Sequence, residues 1–264
     1  GGLAAYLITK VMALDAPGVT SQWATVGWQV KVVLLLLPAI TYGIMILGHE
    51  FPSTERVAAG VSARDMFRET LRPMFILWFF CMWLTASTEL GPDQWLGSLI
   101  TNLTGMRGIL ILVYTAGIMF VLRFFGGKLA DLLSPLGLLT ASGILSAIGL
   151  FGLSYVQTLF QVFVAATIFG IGKTFFWPTM LGVTSERFPK GGAFLLAMMG
   201  GAGNLSVAFI LPLMGGWYDD YGAAAAFRYV GILPVVLALI FGALFFYYKA
   251  RGGYEAVKLE AVDS

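Results

Sequence analysis

Across 264 residues, hydrophobic side chains make up 58% and charged ones only 11%, with a mean hydropathy of +0.85. This excludes a water-soluble domain, which must cover its surface with charge. The net charge of +2 argues against a nucleic-acid partner, and the single cysteine, Cys81, excludes an internal disulfide framework or a CxxC metal pair.

The chain opens on Gly1-Gly2-Leu3-Ala4, with no initiator Met and no basic region ahead of an apolar run. That opening is expected of a fragment and not of a signal peptide. Residues 1–14 are too short to span a bilayer and read as the end of a helix. A spanning helix needs about 20 mostly apolar residues. The segments that qualify run from Trp23 to Leu47, Pro73 to Leu99, Leu110 to Phe125, Leu136 to Leu153, Phe160 to Leu181, Phe194 to Met214 and Tyr229 to Tyr248. An all-α polytopic membrane protein is therefore predicted.

Between the first span and the rest, residues 49–72 form a charged linker. Within it Ser62 and Asp65 have capping-box spacing. Met66, Phe67 and Leu71 repeat at helical spacing, with Arg64, Arg68 and Arg72 four apart, which fits a helix along the membrane surface or a solvated linker helix. Lys and Arg concentrate at alternate span ends and on the tail, so the linker and the carboxy-terminal tail are expected to be cytoplasmic.

Charges inside spans are costly and mark function. Glu89 lies in the polar stretch from Thr85 to Trp95, two residues before Gly91-Pro92. The proline there is expected to break the helix and free the carbonyls of residues 86–90 for a ligand. Lys173 stands in the stretch Gly170-Ile171-Gly172-Lys173-Thr174-Phe175-Phe176-Trp177-Pro178, where an ammonium and aromatic faces suit a carboxylate or a polar solute, the alternatives being a structural salt bridge or a side chain reaching the cytoplasmic interface. It lacks the upstream glycine of a phosphate-binding loop. Asn204, after Gly200, Gly201 and Gly203, needs a partner in hydrocarbon and serves either helix association or solute contact. Gln157 and Gln161 begin a helix and read as interfacial, or as lining an outer vestibule. Arg123 and Asp131 flank a short turn and are expected to form a charge latch that gates, Asp131 pairing with Arg123 or with a neighbouring segment, the alternative being a solvated turn. His49 is the sole histidine, and no nucleophile–base set, metal cluster or dinucleotide fingerprint can be assembled, so no enzyme, cofactor or metal is predicted.

One span, a linker and six further spans, with Gly127-Lys128-Leu129-Ala130-Asp131 in the turn between the second and third, resemble the major facilitator superfamily from late in its first half to its end. The resemblance implies residues 1–48 as the end of an amino-terminal bundle (part of helix 5, then helix 6), 49–72 as the cytoplasmic linker, 73–250 as the carboxy-terminal six-helix bundle and 251–264 as a cytoplasmic tail. The earlier helices would be the partner of this bundle. Ser87-Thr88-Glu89 with Gly91, Arg123 with Gly126, Trp177-Pro178-Thr179, and Pro212 with Gly215 are similar to motifs of fucose-type sugar–proton symporters. Lys173 stands where those have Asn and would suit an anionic substrate. The implied activity is secondary active transport of a small polar solute, sugar-like or an organic anion, coupled to a proton by alternating access in an inner or plasma membrane. Glu89, Lys173, Trp177 and Asn204 would line the cavity, with Glu89 exchanging a proton or pairing with Lys173, and Arg123 with Asp131 at the gate. A drug or metabolite efflux transporter of the same fold, or a sensor or scaffold that no longer transports, are the alternatives.

Overall fold

The computed structural model describes residue 33 and residues 36–105 and 108–257. The expected opening helix and the start of the expected first span at Trp23 lie outside them. The chain divides into two compact units, residues 1–53 and 54–264. In the first, helix α1 (Leu36–Ile46) forms the described part of the expected Trp23–Leu47 span.

The second unit begins with α2 (Glu55–Ala58) and α3 (Ala63–Glu69). Ser62 caps α3: its hydroxyl accepts the Asp65 N–H and donates to Asp65 Oδ2 at 2.7 Å. Asp is one methylene shorter than the Glu of a capping box, and its carboxylate engages the hydroxyl. Phe67 of α3 meets Phe194 edge-on at 4.7 Å.

The remaining helices are α4 (Pro73–Thr104), α5 (Ile109–Arg123), α6 (Gly126–Leu133), α7 (Pro135–Leu153), α8 (Leu159–Lys173), α9 (Phe176–Arg187), α10 (Gly192–Tyr221), α11 (Ala223–Val230) and α12 (Ile232–Lys249). Five helical stretches among the described residues are long and apolar enough to cross a membrane: Pro73–Thr104, Pro135–Leu153, Leu159–Arg187, Pro189–Tyr221 and Ala223–Lys249.

Several expectations need correction. The expected Leu110–Phe125 span is only the 15-residue α5, about 22 Å long and short of a bilayer core of about 30 Å. It meets that test only together with α6, across a 67° bend. The residues expected to be a turn around Lys128 are α6 itself. The expected break at Gly91-Pro92 is absent, because α4 runs continuously for 32 residues through Pro92. Proline removes one backbone donor, that to the Thr88 carbonyl, and neighbouring helices hold the rest of the ladder. Likewise α10 continues through Pro212. The expected Phe160–Leu181 span is interrupted after Lys173 and resumes as α9.

Close helix approach comes from glycine. A Cβ on Gly149 of α7 would lie 2.4 Å from the Phe169 amide nitrogen of α8, and one on Gly172 of α8 would lie 2.4 Å from that of Ser146 of α7. The two helices thus touch backbone to backbone, as small residues allow in membrane bundles.

Two apolar cores result. One joins Leu96, Leu99 and Ile100 of α4 to Leu150, Phe169, Ile210 and Phe227. The other joins Phe75, Trp78 and Met82 of α4 to Leu139, Phe176, Leu195 and Phe241. Along α4, α7 and α10 the residues between the two cores are buried and polar: Thr85, Ser87, Thr88 and Glu89, then Ser142 and Ser146, then Ser206. Lys173 and Thr174 fall at the same level, where α8 leaves the first core and α9 enters the second. The bundle is therefore layered, with a polar stratum at mid-depth.

Candidate functional site: a charged layer between two apolar cores

The polar stratum carries four charges. The side chain of Lys173 is 1% exposed, and its ammonium pairs with Asp93 Oδ1 on α4. The same nitrogen lies 5.1 Å from the centre of the Phe169 ring, a cation–π contact that strengthens where water is excluded. Glu89, one turn before Asp93 on the same helical face, has a side chain 8% exposed, and its Oε1 lies 3.8 Å from Arg123 Nη2. That distance gives electrostatic attraction without a hydrogen bond. Arg123 also donates from Nε to the Thr174 carbonyl at 3.4 Å, so the guanidinium bridges α4 and the α8–α9 interruption.

Sequence reasoning paired these groups differently. The expected Glu89–Lys173 pair is not formed, because Asp93 takes the ammonium. The expected Arg123–Asp131 latch is also not formed among the described residues. Arg123 faces Glu89, whereas Asp131 is exposed on α6 and lines a separate hollow with Ser134, Lys249 and Tyr254. Asp93 was overlooked as a site residue. Its spacing of four from Glu89 places two acids on one helix face, and that was the signal available.

Two buried side-chain atoms in this layer make no hydrogen bond: Glu89 Oε2 and Ser146 Oγ. Buried polar atoms are nearly always satisfied, so exceptions call for an explanation. An acidic oxygen without a partner can carry a proton or meet a ligand donor.

The other predicted residues lie nearer the surface. Trp177, half-buried at the start of α9, covers Gly203: a Cβ there would fall 2.5 Å from the indole. Next to it, Asn204 is exposed and donates to the Gly200 carbonyl of its own helix at 2.9 Å, so it joins no neighbouring helix through that bond. Gln161 is a capping residue, its Oε1 accepting the Gln157 and Thr158 N–H groups at 2.7 and 3.1 Å. A cleft of about 330 Å³ opens beside Arg123, lined also by Gly126, Gly127, Phe175, Thr179 and Glu186. Arg123, whose side chain is 47% exposed, joins this cleft to the charged layer and also lines a second hollow of about 410 Å³ with Ala116, Met119, Phe120 and Phe124. Among the described residues no group of His, Cys, Asp and Glu is arranged to hold a metal ion.

Apolar spans packed through glycine around ionised side chains define an integral, multi-pass membrane protein with a charged interior. The sequence model of the Major Facilitator Superfamily matches residues 105–261, more than half of the chain, and the chain belongs to that superfamily of membrane transporters. The matched stretch begins after α4, so Glu89 and Asp93 lie outside it. Comparison with curated proteins found no match.

Proposed function

We propose that the protein is a proton-coupled secondary transporter that moves a small polar solute by alternating access, with Glu89 as the proton-exchanging group. The observation that carries this reading is a buried acid with one unpartnered oxygen, whose other oxygen faces a half-exposed arginine at the rim of a cleft. A proton arriving on Glu89 would cancel its attraction for Arg123 and free the guanidinium to swing. Coupling then follows from charge balance, since an unpaired charge in a low-dielectric layer is costly. Lys173 and Asp93 hold the remaining charge neutral and anchor α8 to α4. Trp177 and Asn204, closer to the surface, are the residues that would meet the solute.

Likeness to sugar–proton symporters rests on the short motifs alone. Lys173 stands in the place of an amide, and with its charge met by Asp93 both a neutral sugar and an organic anion remain candidate solutes. By the distribution of Lys and Arg, the linker and tail belong on the cytoplasmic side.

The test is accumulation of a radiolabelled panel of monocarboxylates and neutral sugars by the full-length protein in vesicles under an imposed proton gradient. Glu89→Gln should abolish gradient-driven accumulation while leaving solute exchange. Unchanged accumulation by this variant would overturn the assignment.

A further inference from the structure

After α12 the chain folds back on the bundle. Gly252 and Gly253 have φ values of 103° and 117°, a region open mainly to glycine, and the Gly253 N–H donates to the Tyr248 carbonyl at 2.9 Å. The next residues grip the last turn of α9. The Tyr254 hydroxyl donates to Glu186 Oε2 at 2.6 Å, and the Val257 N–H donates to the Glu186 carbonyl at 2.8 Å. Arg187 answers from the other side, donating from Nη1 to the Glu255 carbonyl at 2.8 Å and from Nη2 to the Tyr248 hydroxyl at 3.1 Å. Its guanidinium lies 5.1 Å over the Tyr248 ring, and the Tyr254 side chain packs on the core that contains Phe75 and Phe241.

These contacts fall on one end of a short helix whose other end is interrupted. Thr174 and Phe175 separate α8 from α9, directly after Lys173. Phe176, Met180 and Val183 seat α9 on the second core and Trp78 Nε1 donates to the Met180 carbonyl at 3.2 Å, so the part of the helix that opening the grips can free is its Glu186 end. Glu186 is both the gripped residue and a wall of the cleft that Arg123 lines.

We propose that residues 253–257 form a clasp that restrains the Glu186 end of α9 and sets how widely the Arg123–Glu186 cleft opens. The clasp is a control on movement distinct from the buried charges. Releasing it lets the last turn of α9 move at its Glu186 end, widening the cleft without disturbing the core contacts of Phe176 and Met180 or the Lys173–Asp93 anchor.

The test measures opening and not flux, so its outcome stands apart from the proton-coupling reading. The full-length protein, with Cys81 and any further cysteine replaced by Ser and Thr179→Cys placing one reporter thiol in the cleft, is labelled in detergent micelles with a water-soluble maleimide. Tyr254→Phe removes one hydrogen bond to a charged acceptor and should raise the labelling rate by about tenfold. Arg187→Gln, which removes the grips on Glu255 and Tyr248, should act in the same direction, whereas Tyr247→Phe, outside the clasp, should leave the rate unchanged. Labelling unaffected by Tyr254→Phe, or raised equally by Tyr247→Phe, would overturn the proposal. Should Arg187→Gln fail to fold, the conservative Tyr254→Phe decides alone.

Discussion

Lys173 and Asp93 form an ion pair that ties α8 to α4 in the middle of the bundle, and this pairing leaves Glu89 to Arg123. The two acids lie one turn apart on one helix, yet they meet different partners. Asp93 neutralises the most deeply buried cation, while Glu89 keeps an oxygen unengaged. A paired acid and an acid with an unengaged oxygen are thus separated by a single helical turn.

Removing one member of the buried pair strands the other. Asp93→Asn should cost about 3 kcal/mol, the low end of the usual range for a broken buried pair because Asp93 keeps some exposure. Replacing both, as Asp93→Asn with Lys173→Met, should recover most of that loss. Thermal unfolding of the purified protein in one detergent checks the order; equal losses in the single and double variants would show that the pair carries no such role.

The Glu89–Arg123 contact should behave in the opposite way. Its distance exceeds a hydrogen bond and Arg123 is half-exposed, so Arg123→Gln should change stability by no more than about 1 kcal/mol. Gradient-driven accumulation should nevertheless fall, because Glu89 loses the cation that responds to its protonation. A variant that unfolds readily, or one that transports normally, would contradict this division between stability and activity.

Glycine contacts predict opposite signs at two sites. Gly149→Ala would force a methyl group into the Phe169 backbone and should destabilise by at least about 1–3 kcal/mol, as overpacking does. Gly117→Ala on α5 meets nothing within 4 Å and should stabilise by about 0.5–1 kcal/mol through helix propensity. Denaturation midpoints of the two variants, measured side by side, should fall on either side of the parent protein.

The clasp should be sensitive to alkali. Burial and the Glu186 carboxylate push the Tyr254 hydroxyl above its ordinary value, so the folded state holds this proton more tightly than the unfolded chain does. That contribution is fully present below the ordinary tyrosine value of about 10 and is lost as pH rises beyond it. Limited proteolysis of the tail should therefore be flat with pH up to about 10 and accelerate above it. In Tyr254→Phe the tail should already be cut quickly at neutral pH, with a weaker alkaline rise.

The sequence by itself determined that this is an all-helical membrane protein with costly charges in its interior, because hydropathy over a 20-residue window reflects the bilayer directly and needs no knowledge of neighbours. It pointed to Glu89 and Lys173 for the same reason, since each is an ionisable group where lipid would otherwise be, and to Arg123 as one flank of a short charged turn. Only the tertiary structure decided who pairs with whom. Lys173 and Asp93 are eighty residues apart, and the choice between Asp93 and Glu89 depends on the register at which α8 crosses α4, itself set by glycine contacts with α7. The continuity of α4 through Pro92 and the shortness of α5 were likewise settled by packing, since neighbouring helices can hold a ladder that proline alone would break. The tail clasp was hidden for a simpler reason. Polar residues after a last span look like solvated chain until the fold brings Glu186 and Arg187 beneath them.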